Sequence, residues 1–141
     1  MTVVYHTTRR IQWSDTDAAG IAHFACFFKY MEEVEHEFLR SLGLSVSLTD
    51  TEGAISWPRV AASCEYQAAV RFEDVLDVEL RIDRLGTKSV RYGLRFTHQG
   101  RAVAHGHLTA VCCRIHVDRP PESIEIPDWF AAKLRGDDAS A

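Results

Sequence analysis

The 141-residue chain has no CxxC pair, no long apolar run and no excess of basic charge, and each absence removes a class of protein. Its four cysteines, Cys26, Cys64, Cys112 and Cys113, show none of the spacings of a zinc or dithiol motif, and the adjacent pair points to opposite faces of a strand. They read as reduced, packed thiols. No segment approaches the roughly 20 apolar residues of a membrane-crossing helix. The opening Met1-Thr2-Val3-Val4-Tyr5-His6 lacks the charged-then-apolar pattern of a leader, so a soluble protein of the cytoplasm is expected. Lys and Arg number 16 against 20 Asp and Glu, a net charge of −4. The basic stripe of a nucleic-acid or anionic-membrane binder is therefore missing. With only 8 Gly and 4 Pro, there is no linker and no low-complexity tract. What remains, 46% hydrophobic and 26% charged residues, is the composition of one globular domain over residues 1–141.

Hydrophobic periodicity supplies the architecture. Val3, Tyr5, Thr7, Arg9, Ile11 and Trp13 alternate on one face, which predicts a strand. The period then changes. Phe24, Phe27, Phe28, Met31, Val34, Phe38, Leu39 and Leu42 recur at spacings of three and four, with Lys29, Glu32, Glu33, His36, Glu37 and Arg40 opposite. This predicts a helix over residues 22–42, about 30 Å long, with Gly43 as its C-terminal cap. Alternating segments follow at Trp57 to Val70, Val75 to Leu85, Ser89 to His98 and Ala102 to Val117. Gly86-Thr87 and Gln99-Gly100 are hairpin connections, so the later strands form an antiparallel meander. Pro58 and Ala68-Ala69 mark an edge or bend in the first of these segments. Pro120-Pro121 and Pro127 lead into a short tail helix over residues 128–134. The fold class is α+β, with a sheet curled around a central helix. Its open edges predict pairing between subunits, a homodimer at least.

Chemistry concentrates in Asp15-Thr16-Asp17-Ala18-Ala19-Gly20-Ile21-Ala22-His23-Phe24. A carboxylate stands at a strand end, just before a helix whose first N–H groups have no internal partner. Asp17 is placed to act as nucleophile or as general base to a water. The backbone N–H of Phe24, with that of His23, is placed to hold a developing oxyanion. This pairing suits thioester cleavage, because a leaving thiol of pKa about 8.5 needs little acid assistance. The plainer reading of Asp17 is a turn or capping residue. Asp15 reads as a solvent or structural group, and Gly20 permits the tight turn. Glu32 and Glu35 are rival carboxylates on the helix, while Arg59, Arg71 and Arg101 read as solvated faces. His105 and His107 share a strand face with no third ligand, so no metal site is expected. Phe24, Phe27, Phe28 and Trp57 line an acyl pocket or simply fill the core.

Asp17-Ala18-Ala19-Gly20 before a Phe-rich helix, then Phe72-Glu73-Asp74-Val75-Leu76 and Lys88-Ser89, resembles the hotdog-fold acyl-CoA thioesterases of the 4-hydroxybenzoyl-CoA thioesterase type. The likeness runs from the first strand to about Pro127. It implies a five-stranded antiparallel sheet wrapped around one long central helix, with Asp17 as catalytic carboxylate. It also implies dimers or tetramers with the active site at the subunit interface. Lys88 and Ser89 then fall where that family contacts coenzyme A, assisted by Arg84 or Arg91. Coenzyme A enters as part of the substrate, with no separate cofactor. The family commonly has an aromatic at position 23 and His or Tyr at 24. Here His23 precedes Phe24, which leaves His23 to orient water or touch substrate. Two alternatives share the fold: a non-catalytic acyl-CoA-binding protein and an acyl dehydratase. The acyl group, and coenzyme A against a carrier protein as its bearer, stay open.

Overall fold

Alternating β-branched and aromatic residues carry the chain through β1 (Val4–Arg10), after which a 3-10 turn at Trp13–Asp15 breaks the strand. The protein, seen as a computed structural model, is described over residues 4–137, and Val3, expected at the head of the first strand, lies outside them. The long helix α1 spans Cys26–Ser41, four residues later than the sequence predicts. Residues 21 and 22 are instead held extended by bridges from Ile21 to Arg71 and from Ala22 to Thr16. At the other end Gly43 adopts φ +76°. Leu44 N–H then reaches back to the Leu39 carbonyl at 2.8 Å and Gly43 N–H to Arg40 at 3.0 Å, closing the helix as the left-handed glycine allows.

The remaining elements are β2 (Leu48–Asp50), β3 (Gly53–Ser56), β4 (Arg59–Tyr66), β5 (Val75–Leu85), β6 (Ser89–His98), β7 (Arg101–Val111), β8 (Cys113–Arg114), β9 (Glu122–Ser123) and α2 (Asp128–Leu134). One sheet has five strands in the order β1-β5-β6-β7-β4, and every neighbouring pair is antiparallel. The β5-β6-β7 meander is as expected, and β4 is an edge strand in this order, in keeping with Pro58 before it. The long final strand expected over Ala102 to Val117 is divided. It leaves the large sheet at Cys112, whose N–H bonds the Lys88 carbonyl at 2.7 Å. Its continuation, β8, joins a second sheet of order β2-β3-β8-β9. Strands of two to four residues are too short to show a period, so the sequence does not announce this sheet.

The apolar stripe of α1 lies across the large sheet. Phe27 meets Phe96 of β6 edge-on at 5.3 Å, and Phe38 meets Tyr92 at 6.4 Å. Met31 presses onto β7 at Gly106, where an added Cβ would stand 2.5 Å from its sulfur. Among the described residues only Asp15 and Glu35 are buried charges. Arg59, expected on a solvated face, instead forks onto Glu35, with Nη1 2.7 Å from Oε2 and Nη2 against Oε1. Glu37, placed by the sequence on the polar side of the helix, is likewise engaged. It accepts Thr7 Oγ1 at 2.8 Å and Tyr5 Oη at 3.1 Å and pairs with Arg9, tying α1 to β1. No helix among the described residues is long and apolar enough to cross a membrane.

Candidate active site

The loop from Thr16 to Ala25 is built by its own hydrogen bonds. Asp17 N–H donates to Ile21 O at 2.9 Å and Gly20 N–H to Asp17 O at 2.9 Å, a turn that Gly20 completes at φ +78°. The Asp17 side chain caps this turn, with Oδ1 accepting Ala19 N–H at 2.9 Å. Among the described residues Oδ2 has no partner, so one carboxylate oxygen is committed to the loop and the other is left open. Both the turn role and the reactive role are thus available to the same group.

Asp15 anchors the loop from beneath. Its buried carboxylate accepts Tyr30 Oη at 2.7 Å, Lys29 Nζ at 3.0 Å and Gln12 N–H at 3.0 Å. Burial alone would raise its pKa, but these three bonds outweigh it and hold the carboxyl below its ordinary value. A carboxylate so occupied is structural, which separates Asp15 from Asp17.

Asp17, Phe24, Phe27, Tyr66, Ala68 and Ala69 line one cleft of 350 Å³. Asp17 and Phe24 are therefore brought together as the sequence spacing suggests. Phe24 N–H has no acceptor among the described residues, whereas His23 N–H is spent on the Asp15 carbonyl at 2.7 Å. His23 is not among the residues lining the cleft. Its ring stacks on Phe24 at 4.7 Å, and its Nδ1 accepts Ala25 N–H at 3.1 Å. Of the aromatic cluster, Phe24 and Phe27 face the cleft, while Trp57 packs on Phe130 of α2 at 5.1 Å.

Tyr66, which sequence reasoning passed over, ends β4 with its hydroxyl donating to the Phe24 carbonyl at 2.7 Å. Desolvation, helped by the neighbouring Cys64 thiol, pushes its phenol up to about 12, so it stays a donor at neutral pH. Its only sequence signal was an aromatic at the close of a strand, followed by the small pair Ala68-Ala69.

Other sequence candidates fall elsewhere. Lys88 ends the turn after β5 and Ser89 opens β6; their carbonyls accept Cys112 N–H at 2.7 Å and Gly86 N–H at 2.8 Å. The Asp17 loop bridges to Arg71, just before the start of β5. The 11 residues of that strand separate the two regions by roughly 35 Å within one subunit. Glu35 is closed onto Arg59 and does not line the Asp17 cleft. His105 Nε2 holds Glu65 at 2.6 Å and His107 Nδ1 holds Asp83 at 3.1 Å. Each thus has its own carboxylate.

A free carboxylate oxygen and an unpaired N–H beside an aromatic-walled slot suit attack on a carbonyl whose oxygen gains negative charge. The profile of the thioesterase-like superfamily matches residues 11–134. A 1,4-dihydroxy-2-naphthoyl-CoA hydrolase of Synechococcus elongatus is 29% identical over 128 residues, covering 89% of this chain and 94% of its own. A solved gentisyl-coenzyme A thioesterase is 31% identical with a TM-score of 0.77, covering 94% of this chain and 99% of that one. The fold is shared more widely, as a 1,4-dihydroxy-2-naphthoyl-CoA thioesterase from Synechocystis has a TM-score of 0.83 at 20% identity over 99% of both chains. With the match extending over most of its length, the chain belongs to the thioesterase-like superfamily and is a thioester hydrolase of the hotdog fold.

Proposed function

We propose that the protein hydrolyses an aromatic acyl-CoA to the free carboxylate and coenzyme A, with Asp17 as the reacting carboxylate and Phe24 N–H as the oxyanion donor. One observation carries this reading: Asp17 and Phe24 line the same 350 Å³ cleft. Asp17 Oδ2 attacks the thioester carbon directly or takes a proton from the water that does so. Negative charge then builds on the carbonyl oxygen beside Phe24 N–H, and collapse of the adduct expels the thiolate; on the direct route the acyl group is left as an anhydride with Asp17, which water then hydrolyses to the free acid and the restored carboxylate. An aromatic acyl group fits walls made of Phe24, Phe27 and Tyr66 over the small Ala68 and Ala69. The relatives named above act on naphthoyl and gentisyl thioesters. Coenzyme A enters as part of the substrate, and no separate cofactor is proposed.

The edge strand β4 exposes Val60 at 62% and Tyr66 at 43%. We take it as the seam of a dimer, or of a dimer within a tetramer, acting in the cytoplasm, with the sheet curled around α1. A second subunit supplies the only route by which a Lys88–Ser89 turn approaches the Asp17 cleft, because one subunit holds them a strand length apart.

Free-thiol release from a panel of benzoyl-, hydroxybenzoyl-, naphthoyl- and straight-chain CoA thioesters tests the reading. Aryl thioesters should turn over fastest, and Asp17→Asn should lower kcat by roughly 100-fold or more with binding and oligomer size retained. Unchanged turnover in Asp17→Asn removes Asp17 from the chemistry. Coenzyme A binding without thiol release from any panel member favours a binding protein instead, and hydration of an enoyl-CoA without thiol release favours a dehydratase.

A further inference from the structure

The backbone from His23 to Cys26 is fully occupied except at one group. His23 N–H donates to Asp15 O at 2.7 Å, and His23 O accepts Cys26 N–H at 3.0 Å. The planar trans peptide then turns Phe24 N–H away from the helix start. The following peptide is held at both ends: Phe24 O accepts Tyr66 Oη at 2.7 Å, and Ala25 N–H donates to His23 Nδ1 at 3.1 Å. Among the described residues, Phe24 N–H alone in this stretch is left over.

Other support for this segment is slight: the Phe24 ring stacks on His23 at 4.7 Å. Phe24 is 63% exposed, so burial does not fix it, and Ala25 at the N-cap of α1 offers no side-chain cap. Tyr66 is itself oriented by the helix, because Phe27 meets its ring edge-on at 5.4 Å.

We propose that Tyr66 and His23 are positioning residues that clamp the Phe24–Ala25 peptide and so aim the Phe24 N–H at the substrate carbonyl. This rests on the assignment of Asp17 and Phe24 given above. Tyr66 belongs to the edge strand and His23 to the loop, so the donor is set by two elements far apart in the chain. In this role His23 works through its lone pair as an acceptor and exchanges no proton with substrate.

An oxyanion donor acts on charge that appears only in the transition state, so its misplacement lowers kcat and leaves KM nearly untouched. Tyr66→Phe keeps the ring against Phe27 and removes only the hydroxyl. It should lower kcat by about three- to tenfold, the worth of one hydrogen bond, with KM little changed. His23→Ala should fall by a similar factor. His23→Asn should recover a large part of that loss, since an Asx side chain accepts from the N–H two residues on, as Asp17 Oδ1 does from Ala19 N–H at 2.9 Å.

The clamp is overturned if Tyr66→Phe changes KM alone or changes neither constant. It is also overturned if His23→Asn is as impaired as His23→Ala, because the imidazole itself is then required. Asp17→Asn measured in the same series separates the two ideas. Full turnover in that variant defeats the site assignment, whereas its collapse beside an unaffected Tyr66→Phe defeats only the clamp.

Discussion

The Glu35–Arg59 pair offers the sharpest separation of a structural carboxylate from a reacting one. Glu35 is 1% exposed and its two oxygens are filled by the guanidinium of Arg59. Arg59→Met leaves that carboxylate buried without its partner. Breaking a buried pair from one side costs about 3–5 kcal/mol, far more than the pair itself is worth against apolar replacements. At roughly 3–4 °C per kcal/mol for a chain of this size, the thermal midpoint should fall by about 10–20 °C. The double variant Glu35→Met/Arg59→Met removes both charges and should recover most of the loss, because neither ion then has to be desolvated. Thermal melts of wild type, Arg59→Met and the double variant, each paired with a thiol-release assay at a temperature where all are folded, complete the test. Turnover per folded molecule should be close to wild type in the double variant. A double variant that melts with the wild type but releases no thiol would place Glu35 or Arg59 in the chemistry. A double variant as unstable as Arg59→Met would refute the desolvation argument.

Two further perturbations probe the frame around the site. The carboxyls of Asp15 and Glu37 are both held below their ordinary range: burial would raise each, but hydrogen bonds from Tyr30, Gln12 N–H and Lys29 on Asp15, and from Thr7, Arg9 and Tyr5 on Glu37, prevail. Their stabilisation is thus complete above the unfolded carboxyl value of about 4 and is lost as pH falls through the lower folded values. Asp15→Asn should melt below wild type at pH 7, and the two curves should converge toward pH 3; a gap that stays constant with pH contradicts this. Gly106→Ala places a Cβ 2.5 Å from Met31 Sδ and 2.7 Å from the Ser63 carbonyl. It should cost about 1–3 kcal/mol by overpacking, read by denaturant unfolding. Adding Met31→Ala should return only part, since the Ser63 oxygen is backbone and does not move aside. An unchanged midpoint in Gly106→Ala refutes the close approach of α1 to β7.

Periodic features are legible in the sequence. Phe27, Met31, Val34 and Phe38 mark one side of a helix by spacing alone, and the alternation in Val75 to Leu85 and Ser89 to His98 marks two strands and their turn. These signals are local, because a helix face or a strand face is set by residues a few positions apart. The neighbourhood of Asp17 and Phe24 was readable for the same reason, since a single turn joins them.

Contacts between distant residues decided the rest. The bond from Tyr66 to Phe24 spans 42 positions, and that from Arg59 to Glu35 spans 24. No pattern in the chain shows that Arg59 turns inward while Arg71 and Arg101 stay exposed. The helix start moved to Cys26 because Arg71 and Thr16 hold Ile21 and Ala22 extended, a pairing that overrides the apolar period. The sequence by itself determined the types of the long periodic elements, the α+β class and a carboxylate beside a helix start. Tertiary structure alone decided which carboxylate was left with a free oxygen, because burial and partners come from chain segments that meet only after folding.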